Sequence, residues 1–395
     1  MTTAIIVTLC ILILISYAFD LSSKHTKIPS VVLLLALGWG VHQLISFFDI
    51  TGVPDLDPLL PILGTVGLIL IVLEGSLELE INKSKKDVLT KSALSALIPI
   101  IVLFLIIGYV FHLMSEASLK DSFIHAIPFC IISSAVAIPS VRYLSKTNKE
   151  FVIYESSMSD IFGVIIFNFF TVNEIINLTA GGHFLLQLVS ILLISFGASI
   201  GLALLIKNID HHVKFIPIIM IVILIYTVSK IYHLPSLIFI LIFGLWLNNL
   251  EELKNFSFIK KLAPEKLETE VQRFREVVVE IAFLVRTMFF LLFGFLIDAS
   301  TLLEPNGLLI AFGIIFVIYF VRFIQLKIGK MDVSPLLFIA PRGLITILLF
   351  ISIPSSQQLS FVNESLIIQV ILLSAIIMMA GIMFNKKNQL QNEQA

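Results

Sequence analysis

From residue 3 to residue 385 long apolar runs alternate with short polar interruptions, with neither the striped face of a soluble helix nor the two-residue alternation of a strand. Runs of about 15 to 25 apolar residues match the helix length needed to cross a hydrocarbon core. In lipid, backbone groups are satisfied only within helices or closed barrels, and without alternation the choice is helices. The pattern predicts thirteen spans, at 3–19, 29–48, 58–80, 92–114, 122–144, 151–176, 184–206, 215–232, 236–250, 279–299, 307–329, 334–354 and 363–385. The fold class is therefore all-α integral membrane. Met1-Thr-Thr-Ala offers no basic n-region, and the run after it ends at Asp20 without a small-residue cleavage site, so the first span is expected to be retained.

Composition agrees. Charged residues make up 13% of the 395 and hydrophobic ones 58%, whereas a soluble domain carries about 25% charged residues. The placement of Lys and Arg tests the count, because short basic loops stay in the cytoplasm. With the N-terminus outside, only Lys120 and Lys230 fall outside, and Arg286 and Arg342 fall within spans; the other Lys and Arg residues lie on inner loops or inner span ends. That parity predicts a multi-pass protein of the cytoplasmic membrane with its C-terminus inside. A net charge of −1 without a basic cluster argues against nucleic acid as a partner. Cys10 and Cys130 both lie in apolar runs, which excludes a disulfide framework and a thiolate metal centre. The one long polar segment, 251–278, ends in the apolar series Leu267, Val271, Phe274, Val277 and Val278, the pattern of a helix lying at the cytoplasmic interface and linking two halves.

An ionisable side chain near the bilayer centre costs at least about 2.5 kcal/mol on insertion scales, so each one invites a functional question. The candidates are Glu74, Glu155, Asp160, Arg286, Arg342 and, less deep, Arg322. In the sixth span Glu155, Ser156, Ser159, Asp160 and Gly163 fall within roughly 140° of one helical face. Asp160 lies roughly 14 Å from the start of that span, near the middle of the core. An acid with hydroxyls on its face suits a proton or a cation, but not both at once. Glu155 is nearer the cytoplasmic end and at a depth matching Arg322, which suggests an ion pair stapling two helices.

Two spans are interrupted. In the fifth, Pro128 and Pro139 bracket Ser133-Ser134; in the twelfth, Ala340-Pro341-Arg342-Gly343 falls at the centre. Proline removes a helical hydrogen bond, and carbonyls freed at that depth must face protein or a wet cavity. Arg342 can offset the negative helix ends there. Leu70–Glu80 at the end of span three resembles Phe290–Ser300 at the end of span ten. Both this pair and the two broken spans are seven spans apart, an odd offset that gives an inverted repeat, and paired broken helices point to a transporter's binding site. The expected organisation is one transmembrane domain over 1–395, with a first repeat at about 58–176, the linker helix at 251–278 and a second repeat at 279–385.

These residues resemble a family. Glu155-Ser156-Ser-Met-Ser159-Asp160 is similar to the Glu-Ser-x-x-Asn-Asp motif of bacterial sodium/proton antiporters of the monovalent cation:proton antiporter superfamily. Ser133-Ser134-Ala-Val-Ala resembles their broken-helix Thr/Ser-Asp-Pro-Val-Ala, Leu73-Glu74-Gly75 their Phe-Glu-Gly, and Pro341-Arg342-Gly343 their Arg-Gly. The resemblance implies that Asp160 binds the transported proton or Na+, with Ser156, Glu74 and Ser133 as further cation ligands and Ser134 and Ser159 beside them. It also implies Glu155 with Arg322 as a structural ion pair, Arg342 and Arg286 as compensating charges, no cofactor, and a homodimer of six-helix core domains that move against dimerisation domains. Ser134 stands where the family has Asp, and Ser159 where it has Asn or Asp. A single acid there favours electroneutral exchange of one Na+, Li+ or K+ for one proton. The alternatives are a channel-like pathway of the same fold without obligatory proton coupling, and a membrane enzyme. The scattered histidines and the absence of HExxH or GxxxxGK[ST] weigh against the enzyme.

Overall fold

The computed structural model describes residues 2–26, 28, 30–49, 55–56, 58–79, 86–141, 144–173, 178–209, 211, 213–232, 236–250, 264–296 and 304–392. Among them the chain is all-helical. In order, the helices are α1 (Thr2–Thr26), α2 (Ser30–Phe47), α3 (Leu59–Glu78), α4 (Lys86–Met114), α5 (Leu119–Cys130), α6 (Ser134–Ser140), α7 (Lys146–Val172) and α8 (Leu178–Asn208). There follow α9 (Phe215–Ile231), α10 (Ser236–Asn248), α11 (Pro264–Leu296), α12 (Pro305–Ile328), α13 (Val333–Leu336), α14 (Leu344–Ile351) and α15 (Glu364–Asn392). By length and composition eight helical stretches can cross a membrane, and three shorter apolar ones lie at Val7–Ser22, Phe215–Ile231 and Ser236–Asn248. The remaining predicted spans coincide with α7, which carries the acids, and with the broken pair α13 and α14. Of the repeat motif near residue 300, Ile297–Ser300 lie outside the described residues.

The chain divides into two compact units, Met1–Gly64 with Lys91–Asp160 and Leu284–Ala395, and Thr65–Thr90 with Ile161–Phe283. In the first, α12 packs on α15, and α5 on α14. Glycine lets α2 and α11 approach closely: a Cβ on Gly38 would strike the Leu291 carbonyl, and one on Gly294 would lie 2.9 Å from Leu35 Cα. Without a hydrophobic drive between helices in lipid, such close backbone packing is a main source of association. The side of α12 bearing Leu309, Phe312, Phe316 and Phe320 is exposed, as a lipid-facing surface must be.

In the second unit α8, α9 and α10 pack together. The amphipathic segment expected as a linker is here the first part of α11, running unbroken into the tenth predicted span, while 251–263 lie outside the described residues. Pro264 suits the first turn of a helix, where its missing N–H costs nothing. The apolar face is buried at Leu267, Val271, Phe274 and Val278. The Phe274 ring meets Phe215 at 5.9 Å and Phe243 at 6.2 Å between centroids. The polar side is tied by Lys214–Glu270 at 2.5 Å and Arg275–Glu78 at 3.2 Å.

Candidate ion-binding site

Both predicted interruptions exist. After α5 the backbone turns extended at Ile131 (φ −87°, ψ 128°) and Ser133 (φ −73°, ψ 113°) before α6 resumes. The second break, 337–343, separates α13 from α14. The two unwound segments cross: the Ser133 N–H donates to the Pro341 carbonyl at 2.9 Å. A Cβ on Gly343 would lie 2.6 Å from the Ser133 hydroxyl and 3.0 Å from Val136, so only glycine allows the crossing at this distance.

Arg342 closes the crossing electrostatically. It is fully buried; its Nε donates to the Phe129 carbonyl at 2.5 Å and its Nη1 to the Ala340 carbonyl at 2.9 Å. Those oxygens belong to the end of α5 and to the second break, where carbonyls lose their helical donors. The guanidinium thus sits between the end of α5 and the second break. Its backbone N–H donates to Ser374 Oγ at 2.9 Å, adding α15 to the assembly. Ser374 was not foreseen; its only sequence signal is one hydroxyl in an apolar helix.

Against the first break lies the polar face of α7. Ser159 Oγ accepts the Ile132 N–H at 2.9 Å, replacing a hydrogen bond that the unwound turn gave up. The Ser134 hydroxyl donates to Asp160 Oδ2. Asp160 is buried, and among the described residues its Oδ1 has no hydrogen-bond partner. A buried carboxylate oxygen so placed is the atom at which a proton or a cation would gain most. Ser156 donates to the Val152 carbonyl at 2.8 Å, leaving its lone pairs available. The Ser133 carbonyl accepts from Ala137 N at 2.9 Å and is committed to starting α6.

Glu155 is engaged elsewhere. Arg322 grips it with both ends, Nη1 to Oε1 at 3.0 Å and Nη2 to Oε2 at 2.9 Å, and the Arg322 Nε donates to the Leu336 carbonyl at 2.8 Å. Gln325, one turn along α12, donates to Glu155 Oε1 and to the Ser95 carbonyl, each at 3.1 Å. Bidentate bonding of this kind occupies both carboxylate oxygens and leaves no room for a cation. Gln325 escaped the sequence reading, although its position three residues from Arg322 puts it on the same helical face. Glu74 is half-buried on α3 in the second unit, and Arg286 half-buried on α11 in the first. Among the described residues no three His, Cys, Asp or Glu side chains form a metal cluster.

Two broken helices crossing beside one buried acid define a multi-pass membrane transporter of the inverted-repeat antiporter fold. The model of the transmembrane sodium/hydrogen exchanger family matches residues 9–385, and the chain belongs to that family. Among solved structures the chain is similar to the sodium proton antiporter MjNhaP1 from Methanocaldococcus jannaschii at pH 8, with TM-score 0.73 and 19% identity over 96% of this chain and 97% of that one. It is also similar to MjNhaP1 from the same organism as seen in an electron-microscopy map, with TM-score 0.64 and 20% identity over 96% of each chain. No curated protein matches in sequence.

Proposed function

We propose that this protein exchanges a monovalent cation, Na+ or Li+ and in principle K+, for a proton across the cytoplasmic membrane, with Asp160 as the seat for which the two compete. The observation that carries this reading is Asp160 itself, buried at the crossing with one oxygen on Ser134 and the other unpartnered among the described residues. Ser156 offers lone pairs toward a cation. Glu155 is already neutralised by Arg322, so Asp160 is the acid left to change charge. One titrating acid implies one proton for one cation and electroneutral turnover.

The coupling follows from the cost of charge in hydrocarbon. Asp160 crosses the barrier protonated or cation-paired, whereas the bare anion meets a penalty of several kcal/mol. The bonds from Ser133 to Pro341, Ile132 to Ser159 and Arg342 to Ser374 join α5, α6, α7, α14 and α15 into one body suited to moving together. The orientation with N-terminus outside and C-terminus inside rests on the loop charges, and a homodimer on the family resemblance.

The test is proton flux in proteoliposomes, with Na+, Li+ and K+ added in turn to vesicles holding a pH gradient. The reading expects the gradient to collapse only on addition of an accepted cation, at a rate unaffected by an imposed membrane potential. Asp160→Asn should abolish the response. Collapse without any added cation would favour the channel-like alternative.

A further inference from the structure

The exchange site does not use every buried proton acceptor in the first unit. His125 lies on α5 and is completely buried. Its Nε2 accepts the backbone N–H of Leu359 at 3.2 Å, and its Nδ1 lies 2.9 Å from the Asp121 carbonyl. A backbone N–H can only donate, so Nε2 carries the lone pair, and Nδ1 carries the hydrogen given to Asp121. The ring is neutral and both of its nitrogens are occupied. Through it the segment after α14, 352–363, is tied to α5, so one side chain links the two broken helices at a point eight residues before the crossing at Ser133.

We propose that His125 is a second proton-binding site, separate from Asp160, and that its protonation releases the 352–363 segment from α5. A proton on Nε2 turns the acceptor into a donor facing the Leu359 N–H. Leu359 is buried, so its N–H would be left without an acceptor away from solvent. The ends of the segment are hydrogen-bonded to the helices they join, the Ser352 N–H donating to the Leu348 carbonyl at 3.1 Å and Asn363 Oδ1 accepting from Leu366 at 2.9 Å; between them Ile353 and Val362 are buried, and the Phe361 ring meets Phe111 of α4 edge-on at 5.3 Å. Among the described residues the hydrogen-bonded latch from this segment to α5 therefore rests on one protonation state of one ring.

The ionisable groups near His125 are few. On α5 they are Lys120, Asp121 and, at the far end of the helix, the buried thiol of Cys130; Asp121 holds the helix start through Ser118, whose hydroxyl donates to Asp121 Oδ2 at 2.6 Å. The facing stretch of α4, Ile100–Met114, carries Tyr109 and His112, and Glu116 follows it; the His112 Nδ1 lies 2.9 Å from the Ala117 carbonyl. Neither α14 nor 352–363 contains an ionisable side chain, and α15 opens with the exposed Glu364. Asp121 is the nearby charge that would favour an imidazolium. On the orientation read from the loop charges, this end of α5 faces outside, where the latch would sense external acid.

Amide hydrogen exchange of the full chain in detergent, followed between about pH 5 and pH 8 and corrected for the intrinsic rate, tests this without measuring transport. In wild type, protection of 352–363 should fall about tenfold in acid, in a single step, as expected for an opening that follows one titration. In His125→Gln, whose side-chain oxygen can accept from Leu359 but not titrate, protection should stay flat. Wild-type protection independent of pH overturns the proposal even if the variant fails to fold, and so does the same acid step in His125→Gln. An acid step in wild type alone, together with no cation-dependent proton flux, would leave the latch standing and remove the exchange reading.

Discussion

Glu155 and Asp160 sit five residues apart on one helix, and their partners separate their roles. Glu155 is gripped by Arg322 and Gln325; Asp160 is bonded by Ser134, through hydroxyl and backbone, and keeps one oxygen without a partner among the described residues. Removing one side of a buried ion pair strands the other charge. Arg322→Met should therefore lower stability by about 3–5 kcal/mol, while the double variant Glu155→Leu with Arg322→Met recovers much of that loss. Thermal unfolding in detergent reads both. Gln325→Ala removes one of several donors and should cost only about 1–2 kcal/mol in the same assay. Ser134→Ala should keep the fold, since the hydroxyl bonds only Asp160, but should change the Na+ concentration for half-maximal exchange.

At the scale of elements, the breaks decide what can be placed beside Asp160. Ser159→Ala would orphan the Ile132 N–H, a local cost of about 1–3 kcal/mol, and faster amide exchange confined to 131–133 should show it. Gly343→Val would drive a side chain into Ser133 and Val136, and is expected to abolish exchange even where the protein still reaches the membrane. Much of this geometry could be read from the chain alone. Prolines, paired serines and the Arg-Gly step mark both interruptions, and depth along the helices matches Glu155 to Arg322. The partners of the freed backbone groups could not be read. Ile132 meets Ser159 and Arg342 meets Ser374 only through the tertiary fold, and no local rule signals an N–H that has lost its helix. The extent of α11 was hidden for another reason: hydropathy changes near residue 279 where the apolar run begins, but helical geometry ignores that boundary and runs from Pro264 to Leu296.

For the whole molecule, the proposed exchange turns on a buried acid whose charge must be cancelled before it can move. Family membership makes cation and proton exchange the natural framework, and Ser134 and Ser159, in place of a second acid, are the basis for proposing one charge for one charge. The most direct measurement is proton release on cation binding. Sodium is added to the purified protein in weakly buffered detergent solution, and the protons set free are counted. The account predicts about one proton released per chain from wild type and none from Asp160→Asn; sodium binding without proton release, or equal release from the variant, would contradict it.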